Sequence, residues 1–164
     1  MKFSVHAEIW PVARPFRITG REWNSFDSVI VDSTDPHGPG AVLFEKSFYA
    51  NCRRVLKPGG VLVTQNGVPF WQGPELTKSV GHFRELFADG TCYLATIPTY
   101  VGGPMAFGFA SDDKKLRRPA LSALKRRLRE ADFSPRYYSP EVHLAAFALP
   151  AYVEGLLNAA AQKS

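Results

Sequence analysis

Short apolar runs and helical stripes take turns along this 164-residue chain. "FDSVIVD" (26–32) loses its alternation toward its end, as strands buried on both faces do. "AVLFEKSFYANCRRVL" (41–56) sets Phe44, Phe48, Cys52 and Val55 on one helical stripe, and "KPGG" stops it. "VLVTQN" (61–66) predicts a second strand. A second helix, from about residue 74 to residue 87, places Leu76, Val80, Phe83 and Phe87 on one side. "CYLATIP" (92–98) and "MAFGFAS" (105–111) predict two further strands, joined across "TYVGGP". A helix over 119–131 precedes "SPRYYS", and a last apolar segment, 143–157, is interrupted at Pro150.

Strand and helix in alternation predict right-handed crossovers, hence an α/β fold with a parallel sheet covered by helices. The "TYVGGP" joint is too short for a crossover, so the fourth strand should run antiparallel. In open sheets of this kind ligands sit beyond the carboxyl ends of the parallel strands. Asp32, Gln65 and Tyr100 each follow one of those three ends, which predicts a shared cleft.

Length and composition fit one domain with one core. No run reaches the roughly 20 apolar residues that span a bilayer, so the expectation is a cytoplasmic protein without a membrane segment. Cys52 and Cys92 are too few and too far apart for a disulfide framework or a zinc site, and read as reduced, buried thiols. The net charge of +5 invites a nucleic-acid reading, so its location matters. Eight of the 20 Lys and Arg lie in "KKLRRPALSALKRRLR" (114–129). There Leu121, Leu124 and Leu128 recur at helical spacing behind Pro119, which suits a first turn. The basic side chains then occupy the opposite face. With no base-reading motif beside them, the expectation is a solvated face and no nucleic-acid partner, the alternative being a face that meets phosphate backbones or an acidic partner.

Asp32 and Asp35, three residues apart in "VIVDSTDPHGPG" (29–40), suit a cation better than a soft metal, with Mg²⁺ open on ligand type alone. A plainer reading has Asp35 start a turn before Pro36 while Asp32 caps the segment after it. Gln65 fits an ordinary loop, and Tyr100 fits simple packing.

"VDSTDPHGPGAVLFEKSFY", "LKPGGVLVTQNG" and "IPTYVGG", in that order, resemble successive motifs of the polyamine aminopropyltransferases, the bacterial spermidine synthases in particular. "RYYSPEVHLAAFALPAYV" resembles the family's C-terminal end, so the likeness runs from residue 26 to about 157. It implies a Rossmann-like, class I methyltransferase-like doubly wound sheet. It also implies transfer of an aminopropyl group from decarboxylated S-adenosylmethionine, as co-substrate, to putrescine. Spermidine and methylthioadenosine result, with no further cofactor and no metal. By resemblance Asp32 is the proton acceptor; Ser33, Thr34, Asp35, Gln65 and Tyr100 line the amine site; and Pro39 contacts the nucleoside.

The chain also departs from the family. The family's glycine-rich "GGGDG" turn, ribose-binding acid and Asp-Gly pair near the adenine have no counterpart here, and residues 1–25 match nothing in it. The expectation is therefore a partial catalytic domain over 26–164, equivalent to the family's C-terminal half, behind an unmatched segment over 1–25. The strand over 26–32 would then have one open edge, to be covered by "KFSVHAEI" (2–9) or by a second copy in a homodimer or larger oligomer. Activity of the short chain alone is not implied. The alternatives are a non-catalytic module that binds polyamines or associates with a synthase, and a protein whose working element is the basic helix, contacting nucleic acid.

Overall fold

A computed structural model describes residues 23–33, 36–131 and 133–161. Among the described residues the sheet has four strands: β1 (Phe26–Val31), β2 (Leu56–Gln65), β3 (Asp89–Ala95) and β4 (Met105–Ser111). Their order across it is β1-β2-β4-β3. β1 pairs parallel with β2, while β4 runs antiparallel to both β2 and β3. β1, β2 and β3 thus point the same way, as expected, and β4 is slotted between two of them by its short joint.

A 3₁₀ helix over Gly38–Phe44 leads into α1 (Lys46–Val55), and α2 spans Pro69–Leu86. α3 covers Leu121–Glu130, α4 Pro140–Ala146 and α5 Ala151–Ala161. Pro150 separates the last two, which lie at 56° to each other. Among the described residues no single helix is long and apolar enough to cross a membrane.

The core lies between the sheet and the layer of α1, α2 and α5. Leu76, Val80 and Phe83 of α2 are fully buried against Leu62, Cys92, Ala106 and Ala110. Gly90 and Gly108 make that approach possible: a Cβ at Gly90 would stand 2.8 Å from the Phe83 Cβ, and one at Gly108 would stand 2.6 Å from the Phe83 ring. Tyr49 of α1 closes the layer, its ring 4.8 Å from that of Phe83 and its hydroxyl 3.0 Å from Ser79 Oγ. Burial lifts the Tyr49 pKa despite the serine contact. α5 lies along α2, with Val153 and Leu157 buried. On the opposite face Tyr93 stacks on Phe107 at 5.3 Å, and Phe147, just past α4, covers Tyr93 and Phe109.

Several boundaries differ from the sequence reading for physical reasons. "KPGG" lies within the span of β2, where the register jumps from Phe26↔Leu56 to Ser28↔Val61, and Gly59 takes φ +73°. The four residues form an irregular excursion of the strand instead of a turn before it. α2 starts at Pro69, ahead of residue 74, because a short first segment joins the main helix across Gln72 (φ −115°, ψ 28°). β3 ends at Ala95, before residue 98, because the Thr96 backbone N–H donates to the Tyr137 hydroxyl at 3.0 Å and Pro98 has no N–H to offer. Pro119 precedes α3, whose N-cap is Ala120. β1 has β2 on one side and no partner on the other among the described residues, and Ile30 is 62 % exposed. Residues 2–9, the expected substitute strand, lie outside the described residues.

Phe83→Ala is expected to cost about 3–5 kcal/mol, because the ring fills space that backbone glycines cannot close, and a urea denaturation series reads it directly. Burial pushes the thiols of Cys52 and Cys92 up to about 12. At pH 8 only about one thiol in 10⁴ is then a thiolate, so iodoacetamide should label neither cysteine until urea unfolds the chain. Mass spectrometry of the native protein after alkylation checks this, and prompt labelling would contradict the packing described.

Candidate active site at the carboxyl edge of the sheet

Chain direction alone brings the ends of β1, β2 and β3 to one edge of the sheet, together with the start of β4. Val31 pairs with Thr64, so Asp32 and Gln65 are the next residues on adjacent parallel strands. The Gln65 amide reaches across that step. With its nitrogen facing the acceptors, Nε2 donates to Asp32 Oδ1 at 2.6 Å and to the Ser33 carbonyl at 3.0 Å. Asp32 is exposed and Ser33 buried, so a carboxylate projects from a backbone that is itself held.

The tip of β2 is fixed from behind by a residue that the sequence pattern did not single out. Asn66 is 1 % exposed, and its Oδ1 accepts from Thr64 Oγ1 at 2.6 Å and from the Gly108 N–H at 3.1 Å. Its own N–H donates to the Ala106 carbonyl at 3.0 Å, and the Ala106 N–H returns to the Gly67 carbonyl at 2.8 Å. β2 and β4 therefore stay joined past the last regular pair, and Gln65 starts from a rigid position. Gly67 turns the chain at φ +67°, where an added Cβ would stand 2.0 Å from Gln72 Oε1; that oxygen accepts from the Val68 N–H at 2.9 Å. A buried amide followed at once by glycine, in "QNG", was the available signal.

The third strand end arrives through the β3–β4 loop. A Cβ at Gly102 would stand 2.3 Å from the Trp71 indole nitrogen, so this loop rests directly on the start of α2. Tyr100 lies in it, its N–H donating to the Ile97 carbonyl at 3.0 Å and its side chain 46 % exposed. Tyr100 shares the edge with Asp32 and Gln65 but forms no side-chain hydrogen bond to either. Phe70 and Trp71 stand at 67 % and 71 % exposure beside it, giving the edge an apolar rim. Pro39 sits exposed in the first turn of the 3₁₀ helix that comes after the Asp32 loop. Thr34 and Asp35 lie outside the described residues. Among the described residues no three His, Cys, Asp or Glu side chains converge to hold a metal ion.

A carboxylate anchored by an amide at a strand tip, with tyrosine and tryptophan close by, suits an amine with an apolar chain. Residues 17–119 match the spermine/spermidine synthase domain, so the family likeness reaches into the segment over 1–25 that was expected to match nothing. The chain is 59 % identical over 133 residues to a polyamine aminopropyltransferase of Ruegeria sp. (strain TM1040), covering 81 % of this chain and 47 % of that protein. The corresponding enzyme of Pseudomonas syringae pv. tomato is 50 % identical over 135 residues, covering 82 % and 47 %. Among solved structures, a spermidine synthase in complex with the transition state analogue AdoDATO superposes with a TM-score of 0.75 at 31 % identity, over 85 % of this chain and 47 % of that one. The spermidine synthase of Thermotoga maritima gives 0.72 at 30 %, over 85 % and 46 %. The chain spans about half the length of the relatives it matches. Its four strands and their helices have the Rossmann-like, methyltransferase-like arrangement of those synthases. Motif order, strand topology and sequence identity agree that the chain belongs to the spermine/spermidine synthase family, the polyamine aminopropyltransferases.

Proposed function

We propose that this chain carries the amine-activating half of a spermidine synthase, within a catalytic unit over 26–164. The reaction is transfer of the aminopropyl group of decarboxylated S-adenosylmethionine to putrescine. The observation that carries the reading is the approach of the Gln65 amide to within 2.6 Å of Asp32 Oδ1 at the tips of adjacent parallel strands, a contact that only its nitrogen can satisfy as donor. A primary amine with a pKa of about 10 is neutral in only about one molecule in 10³ at pH 7, so a base must take its proton before it can attack. Asp32 accepts that proton. The freed nitrogen lone pair forms a bond to the aminopropyl carbon, the carbon–sulfur bond breaks, and its electrons neutralise the sulfonium as methylthioadenosine leaves. Because sulfur departs uncharged, no acid is needed to protonate it.

Gln65 keeps one carboxylate oxygen occupied and leaves the other to face the amine. Tyr100 and the loop residues Ser33, Thr34 and Asp35 line the diamine's path, with Asp35 as the second negative charge for the distal ammonium. Pro39 borders the nucleoside. The net charge of +5 opposes long-range attraction of a cation, but within the Debye length of about 8 Å a local pair of carboxylates outweighs it. Among the described residues one side of β1 is open, which supports association with further chains as a homodimer or larger oligomer, and the setting of this work is the cytoplasm.

One observation also suits a second reading, a module that binds amines without turnover: Asp32 is exposed and an aromatic rim stands at the same edge. Incubation with decarboxylated S-adenosylmethionine and putrescine, alongside calorimetric titration with spermidine, separates the two. Catalysis predicts spermidine formation that falls about 10²- to 10⁴-fold in Asp32→Asn, the usual contribution of a positioned base. Saturable amine binding without product identifies the module, and absence of both from folded protein rejects the site. Gln65→Leu leaves Asp32 without its amide donor, and spermidine affinity should fall about tenfold by the same titration while the denaturation midpoint stays near that of the parent.

A further inference from the structure

The basic segment ahead of and within α3 takes no part in the amine site. Of its cations, Arg117 meets Asp89 at 2.6 Å, Lys125 meets Glu141 at 2.7 Å, and Arg126 lies 3.8 Å from Glu130. Lys114, Lys115, Arg118, Arg127 and Arg129 are not deeply buried, and none of them meets a carboxylate among the described residues. Five cations thus stand in one short stretch without an ion pair among the described residues, with Asp113 meeting the Lys115 backbone N–H and not its side chain, while the other ion pairs among those residues use Lys46, Arg53, Lys57 and Lys78. The apolar side of α3 turns inward, with Leu124 only 4 % exposed and Leu121 and Leu128 half-buried.

Aromatic rings lie just beyond the cations in the chain. Tyr137 and Tyr138 are 58 % and 36 % exposed, yet neither hangs loose. The Tyr137 hydroxyl accepts the Thr96 N–H at 3.0 Å, and Tyr138 meets the His143 ring edge-on at 6.0 Å. Lys125 of α3 meets Glu141 at 2.7 Å, and Glu141 and His143 lie on the same short helix, α4. The basic helix and the held, accessible ring that meets His143 therefore flank one element.

We infer that this surface binds single-stranded nucleic acid, with the unpaired cations of 114–129 along the phosphates and the rings of Tyr137 and Tyr138 stacking against unpaired bases. Phosphodiesters supply regularly spaced charges complementary to the five free cations. Stacking platforms act on bases that a duplex would hide. An anionic bilayer is a poorer occupant, because a helix lying on lipid turns its apolar side outward and α3 turns that side in. An acidic protein segment would match the charges and leave the tyrosines idle. This inference is independent of the proposed aminopropyl transfer.

Fluorescence anisotropy of the full chain with a labelled 12-nucleotide oligouridylate, and separately with oligodeoxythymidylate, tests it. Saturable binding at 50 mM KCl is expected, with a slope of log affinity against log salt near −3, since five cations at about 0.7 each set a ceiling of about −3.5. Binding to either strand supports the inference, and the stronger of the two identifies the sugar. Arg127→Glu with Arg129→Glu should weaken binding at least about tenfold and flatten the slope by about 1.4. Tyr138→Ala should weaken it about tenfold at unchanged slope. Circular dichroism checks each variant; if the helix substitutions unfold the chain, Lys114→Glu with Lys115→Glu, in the turn ahead of α3, replaces them with the same expectation. No anisotropy change at 50 mM KCl overturns the inference. So does duplex DNA or a phosphatidylserine vesicle binding as tightly as the single strands, or a Tyr138→Ala protein that binds like the parent.

Discussion

The architecture depends on how closely α2 can press on β3 and β4. Phe83 lands where Gly90 and Gly108 offer bare backbone, and a methyl group at either would fall within 2.8 Å of it. Side chains large enough to fill a conventional helix–sheet gap would move α2 outward and break the seal around Cys92 and Ala106, which are now fully excluded from water. The same close approach sets the position of the helix start. Val68, Gln72 and Trp71 lie against the strand tips because the rest of α2 is locked to the sheet below them.

Polar and apolar bonding divide the work at the tips. Toward the interior, Thr64, Asn66 and Gly108 share hydrogen bonds in a buried setting where an unmade one costs about 1–3 kcal/mol, so that side is rigid. Toward solvent, Gln65 and Asp32 sit on the end of this scaffold with one bond between them, leaving the carboxylate free to meet a ligand. The sequence places Gln65 and Asn66 side by side, and pleating sends them to opposite faces of the sheet. One meets the exposed carboxylate and the other holds the strand tip in place.

Residue patterns carried much of this information. The stripe Leu76, Val80, Phe83 was legible because helical period and burial coincide, and the direction of β4 followed from the length of "TYVGGP". What escaped were features set by tertiary partners. Tyr49 lies off the stripe drawn through Phe48 and Cys52, yet it is 1 % exposed, because Ser79 of α2 satisfies its hydroxyl. "KPGG" has the composition of a turn, but pairing of Leu56 with Phe26 draws it into β2. At the site, Asp32 and Gln65 were found as strand ends, which chain direction alone determines; their bond depends on register, and register is set by which residues of β1 and β2 face the core.

β1 contributes one further consequence. Its ladder to β2 holds the parallel register from Ser28↔Val61 to Val31↔Thr64, and this one-sided attachment fixes the height at which Asp32 emerges. A slip by a single residue would carry Asp32 a strand step away from Gln65 and reverse its face. The placement of the Asp32 carboxylate is thus borrowed from a seam, and whatever zips onto the flank of that seam left open among the described residues would tighten its aim from a distance.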